Sequence, residues 1–133
     1  PFDMLPSLIN QIKKPVIRDT GFKMQAELLE ELQTLDQNPL VLDSKELLKN
    51  PQSVLTQLCN TLNIRFEENM LTWPAGPRKE DGIWARHWYH NVHKSTGFQP
   101  YRPKAEPFPD RLRALLNECK PYYDLLYEQA IKA

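Results

Sequence analysis

DQNPLVLDSKELLKNPQSVLTQLCNTL, residues 36–62, carries a turn, a strand and two helix starts in succession. Asp36-Gln37-Asn38-Pro39 is a turn cluster that ends whatever helix precedes it. Leu40-Val41-Leu42 is the one convincing strand, short, apolar on both faces and bounded by Pro39 and Asp43, as a buried strand of a parallel sheet would be. One strand cannot make a sheet, so Leu40–Leu42 is expected to pair with another chain or with a part of the protein outside these residues. Asp43 and Glu46 have capping-box spacing for a short helix. Asn50-Pro51 places an N-cap before a proline at the first helical position, and Val54, Leu55, Leu58, Cys59 and Leu62 follow at helical spacing.

Helices dominate outward from this stretch. On the N-terminal side, Leu5, Leu8, Ile9 and Ile12 form a short stripe that Pro15 stops. Asp19 or Thr20 can cap a helix whose face is Phe22, Ala26, Leu29 and Leu32, widened by Leu28 and Leu35. On the C-terminal side, Glu67–Leu71 suits one further turn and Ile83–Lys94 reads as a helix. Residues 99–109 hold four prolines and form an extended connection. The last helix keeps a stripe through Leu112, Leu116, Cys119, Tyr123 and Leu126, kinked at Pro121. The expected fold is mostly α, a single domain over residues 1–133 with one short strand.

Composition narrows the function classes. Lys plus Arg and Asp plus Glu are equal at 17 each, so no net charge draws nucleic acid or anionic lipid. Residues 19–50 hold seven acidic and three basic residues, whereas residues 78–104 hold six basic and two acidic ones. Cys59 and Cys119 sit at apolar helix positions and read as reduced core residues. No Cys/His spacing suits zinc. No apolar run approaches the roughly eighteen residues of a membrane span, so the expected location is cytoplasmic. The chain starts at Pro1-Phe2-Asp3 without methionine, mid-pattern, as a piece of a longer chain would.

The densest functional signal is TWPAGPRKEDGIWARHW, residues 72–88, with three tryptophans, three basic residues and two glycines. It is open to two readings. It can be an irregular loop whose rings cap a core, with Trp84 and Trp88 at i, i+4 packing inward. It can also be an anion site at a helix N-terminus, where Arg78 binds bidentately, Lys79 acts as a point charge and Gly82 lets a ligand approach the backbone. His87, His90 and His93 recur every third residue, which sets neighbours about 60° apart on a helix. Metal-binding helices use i, i+4 pairs, so the histidines are expected in the core or on the surface and no metal is expected. No Walker-type phosphate loop and no nucleophile-base pattern occurs.

At this block the sequence resembles the closing part of a P-loop sulfotransferase. RKEDGIW is similar to the family's late RKGxxGDW loop, which holds the 3′-phosphate of 3′-phosphoadenosine 5′-phosphosulfate. Arg78, Lys79, Gly82 and Trp84 fall on its basic, glycine and aromatic positions, with one glycine replaced and the acid preceding Gly82. VLDSKELLKNPQSVLTQLCNTLNIRFEENML resembles the strand and helix that lead to that loop. WPAG, DGIWARHWY and STGF are closer to a bacterial and plant subgroup. Leu5-Pro6-Ser7-Leu8 is similar to the segment after the family's RxP motif, which makes Ser7 a carried-over contact to the same phosphate.

The resemblance implies a sulfotransferase-like protein, related to enzymes that transfer a sulfuryl group from that donor to a hydroxyl or amine. Arg78, Lys79, Ser7 and the Gly82 backbone would hold the 3′-phosphate, and Trp84 would be structural or stack near the adenine. The 5′-phosphosulfate loop and the usual catalytic His or Lys region would lie upstream of Pro1, so the chain by itself is expected to be inactive, with catalytic residues unassigned. The missing N-terminal region would supply partner strands, and without it a homodimer through the strand or adjoining helices is expected. The alternative reading is a non-enzymatic helical interaction module whose basic, aromatic face contacts a protein.

Overall fold

The computed structural model describes residues 1–104 and 107–133. The expected connection at residues 99–109 therefore includes two residues, Ala105 and Glu106, that lie outside the described residues. The fold is mostly α. Its helices are α1 (Leu5–Leu8), α2 (Ile17–Thr20), α3 (Phe22–Thr34), α4 (Ser44–Lys49), α5 (Pro51–Thr61), α6 (Ala85–Trp88) and α7 (Arg113–Gln129). Single 3-10 turns occur at Glu68–Met70 and Asp110–Leu112. The chain divides into two compact units, one of Pro1–Asp43 with Arg102–Ile131 and the other of Ser44–Tyr101 with Lys132–Ala133.

In the first unit, the apolar stripe of α3 packs against α7. Ala26, Leu29 and Leu126 form one buried cluster, while Leu5, Phe108, Leu112, Leu115 and Cys119 form another. Removing such side chains from water is the main stabilising term here. Asp19 caps α2 by accepting the Val16 N–H at 2.9 Å. Gly21, at φ +75°, turns the chain from α2 into α3, a left-handed conformation that glycine tolerates. Thus α3 starts after Gly21, and the Phe22 N–H reaches Thr20 Oγ1 at only 3.5 Å.

Helix α7 continues through Pro121. Pro121 and Asn117, whose carbonyl loses its donor, are both exposed, so water can serve that carbonyl. Leu115 is more buried than the expected Leu116, a one-residue rotation of the stripe. Cys119 is free and fully buried, with its thiol 3.8 Å from Thr20 Oγ1. Burial pushes that thiol above its ordinary pKa, in keeping with a core residue.

The strand resolves differently from the expectation that its partner lies elsewhere. Val41 makes an isolated parallel bridge with Ala130, just beyond α7, and the Ile131 N–H donates to the Val41 carbonyl at 3.0 Å. Pairing at long sequence separation carries no local signal, so periodicity could not supply this partner.

In the second unit, Asn50 Oδ1 accepts the Ser53 N–H at 3.1 Å and starts α5 as the Asn-Pro pair predicts. Val54 and Cys59 are buried on its inner face, and Cys59 is also free. Glu46 is almost fully buried and accepts from Lys49 Nζ at 2.6 Å and from the Ala133 N–H at 3.1 Å. Its carboxylate therefore ties α4 to Ala133. Among the described residues no helix is long and apolar enough to cross a membrane.

Candidate functional site

The basic turn at Arg78–Gly82 is built from the bottom by a frame of hydrogen bonds rather than by a helix. The Trp73 N–H donates to the Thr96 carbonyl at 3.1 Å, and Trp73 Nε1 donates to Ser95 Oγ at 2.9 Å. The Gly76 N–H donates to the His93 carbonyl at 2.7 Å. Gly76 takes φ +115°, so here the glycine is demanded by backbone conformation. The His93 ring closes the frame, with Nε2 at 2.8 Å from Asp81 Oδ2. The same carboxylate oxygen accepts the Arg78 N–H at 2.9 Å, and the Asp81 N–H donates to the Arg78 carbonyl at 3.1 Å. The Arg78 N–H bond first, and His93 second, hold the Asp81 carboxyl below its ordinary pKa.

Two expectations fail here. The helix expected over Ile83–Lys94 is a single turn, Ala85–Trp88, followed by irregular turns. One turn sums few peptide dipoles and offers no developed N-terminal field. The tryptophans expected in the core are outside it: Trp84 is 66% exposed and Trp88 54% exposed. Only Ala85 of this short helix is buried, because four residues cannot present a stripe to a partner. Trp73 is the ring that packs, edge-on to Phe98 with centroids 5.2 Å apart.

Arg78 and Lys79 both project into solvent. Lys79 Nζ lies 3.7 Å from Glu80 Oε1, a pair too exposed to contribute much. Among the described residues no carboxylate lies within ion-pair distance of the Arg78 guanidinium. A Cβ built on Gly82 meets nothing within 4 Å, so the chain's own packing does not require glycine there.

Beside the turn lies an open cavity of about 550 Å³. Gly82, Arg86, His90, His93 and Asp81 contribute to its wall, whereas Arg78 and Lys79 do not. Arg86 and His90 drew no functional assignment from the sequence, since their spacing fits no motif. The missed Asp81–His93 pair spans twelve residues across one short helical turn and irregular turns, so only the folded loop reveals it.

Ser7 belongs to the other unit. Its hydroxyl accepts from Lys104 Nζ at 2.7 Å, in a cavity of about 560 Å³ that Asn10 also lines and that Phe2 and Phe108 wall. These two rings stack with centroids 4.9 Å apart. Lys104 lies in the proline-rich segment, where nothing in sequence singles it out. Among the described residues no cluster of His, Cys, Asp or Glu suits a metal.

This chain is similar to two Arabidopsis thaliana proteins, branched-chain-amino-acid aminotransferase-like protein 2 and branched-chain-amino-acid aminotransferase-like protein 1. Each is 36% identical over 126 residues, which cover 95% of this chain and 22% of the relative. The chain thus spans less than a quarter of the length of these relatives. No solved structure matches it. The sulfotransferase domain family matches residues 10–130, which begin after Ser7 and include the whole Arg78–Trp84 turn. Since that match takes in every helix from α2 to α7, the chain belongs to the sulfotransferase domain family.

Proposed function

We propose that this chain is the part of a sulfotransferase-like protein that grips the nucleotide end of 3′-phosphoadenosine 5′-phosphosulfate. The observation that carries the reading is the Arg78-Lys79 turn, exposed and unneutralised at Arg78 yet held in shape by Asp81, His93 and Trp73. A pre-shaped basic turn loses little conformational freedom on binding an anion. Arg78 would contact the 3′-phosphate by two N–H groups and Lys79 by its ammonium.

Gly82 suits the same ligand, because the space a side chain would fill is open to a phosphate oxygen. Trp84 presents its ring to solvent, where a purine can stack on it. Within its own unit, Ser7 offers a hydroxyl that accepts from Lys104 Nζ, and a phosphate held in that cavity would meet the Lys104 ammonium. The bound donor would supply the sulfuryl group for transfer to a hydroxyl or amine. This chain's own residues would hold the nucleotide and supply no assigned catalytic group.

Isothermal titration with 3′-phosphoadenosine 5′-phosphate tests the reading. Arg78→Ala should weaken binding about tenfold, the scale of one charge-assisted hydrogen-bond set. No heat at millimolar nucleotide would favour the helical interaction module instead.

A further inference from the structure

We infer that this chain associates head to tail with a second copy of itself, the basic, aromatic loop of one copy docking on the outer side of α3 of the next. The contact uses none of the residues assigned to the nucleotide.

Helix α3 carries two apolar sides. Ala26 and Leu29 are buried, whereas Met24, Leu28 and, just past the helix end, Leu35 are each more than half exposed. Met24, Glu27, Leu28, Glu31 and Leu35 follow one another at three- and four-residue spacing, so they form one ridge on the side away from the core. Residues 22–36 hold four carboxylates against one basic residue. That residue, Lys23, meets Glu27 in an exposed pair at 3.8 Å, too solvated to neutralise the ridge. Beside the ridge, Leu28, Leu32, Leu40 and Leu42 wall an open groove of about 200 Å³. An apolar space of that size admits an aromatic ring.

The loop offers the complementary surface. Ile83, Trp88 and Val92 are each more than half exposed, and Arg86 and Lys94 in the same stretch project into solvent. Residues 78–94 hold four basic residues against two carboxylates. Clustered exposed apolar side chains mark a contact surface, and tryptophan and arginine are the residues that most often anchor one.

Charge chooses the pairing. Ridge against ridge would bring carboxylates together, and loop against loop would bring cations together. The crossed pairing sets opposite charges face to face. A crossed contact between identical chains is heterologous, so each copy keeps one surface for a further copy.

Sedimentation of the 133-residue chain, without nucleotide, tests the inference. The average mass should rise with protein concentration and fall as salt screens the exposed charges. Two variants make the decisive comparison, a ridge variant with Met24→Gln and Leu28→Gln and a loop variant with Ile83→Ser and Trp88→Ser. All four side chains are exposed, so both variants should keep the wild-type circular dichroism. Each alone should associate about tenfold more weakly than wild type. Mixed, they should regain one contact of wild-type strength and stop at a heterodimer, because the ridge variant keeps the loop and the loop variant keeps the ridge. A wild-type chain that is monomeric at every concentration overturns the inference, as does association that salt leaves unchanged. A variant that still associates like wild type, or a mixture that stays apart, overturns the crossed pairing and the inference with it. A monomer whose tryptophan emission shifts on phosphatidylserine vesicles gives the loop to a lipid surface and also overturns it. Arg78 and Lys79 are intact in both variants, so none of these outcomes bears on the nucleotide reading.

Discussion

The α3–α7 pair and the Trp73–Lys94 segment are both rich in large apolar side chains, and they place them in opposite ways. In the pair, two helices of 13 and 17 residues lay their stripes together, so Ala26, Leu29, Cys119 and Leu126 leave solvent. In the segment, one helical turn and a frame of hydrogen bonds set the shape, and Ile83, Trp84 and Trp88 remain exposed. A stripe is buried when it is long enough to meet a partner. Apolarity alone does not bury a ring in a loop whose order comes from polar contacts.

The comparison predicts its largest effect in the pair. Leu29→Ala should cost about 3 kcal/mol, the transfer term plus a cavity between α3 and α7. Urea unfolding followed by helical circular dichroism measures it. A loss under about 1 kcal/mol would mean that the pair is not the core that this contrast requires.

In the loop the corresponding effect comes from a hydrogen bond. Trp73→Phe keeps a ring against Phe98 but removes the Nε1–H bond to Ser95. The expected cost is about 1 kcal/mol, the usual net value of one such bond. Faster amide exchange should be confined to the frame around Gly76 and Thr96. Exchange that also rises in α5 would join loop and helix more tightly than the contrast allows.

What the sequence made legible divides along the same line. The helices α3, α5 and α7 announced themselves, because periodicity over three or more turns is a repeated signal. The Asn50-Pro51 start needed only the chemistry of one cap. The partner of Val41 was not legible, since Ala130 lies far along the chain and a single bridge repeats nothing. The helix expected after Gly82 was over-read: Ile83, Trp84, Trp88 and Val92 have spacing that suits a helix, but no second surface covers them. At the candidate site, Arg78, Lys79 and Gly82 were singled out by their motif alone. Arg86, His90 and the Asp81–His93 clasp come together only through the loop's fold.

A smaller effect distinguishes exposed from buried rings. Trp84→Ala should change stability by less than about 0.5 kcal/mol, the range of an ordinary surface substitution. A buried tryptophan truncated in the same way would cost about 3–5 kcal/mol. Under the proposed nucleotide reading the same change weakens binding through the lost stacking surface, so stability and affinity should part company. Parallel loss of both would return Trp84 to a structural role.

The smallest expected effect is the most local one, and its sign follows from Asp81. The folded state holds this carboxyl below its ordinary value of 3.8, chiefly through the Arg78 N–H. A carboxylate depressed in the folded state contributes its stabilisation above the unfolded value and loses it as pH falls through the lower folded value. The basic turn should therefore keep its shape through the range in which ordinary aspartates begin to protonate, and loosen only at more acidic pH. The Arg78 amide resonance should follow that step, because it donates directly to the titrating oxygen. Asp81→Asn should flatten the Arg78 titration while leaving the α3–α7 amides unchanged. An Arg78 amide that titrates at or above the ordinary aspartate value would show that the clasp does not hold the turn. The ordered loop would then owe its shape to Trp73 and Gly76 alone.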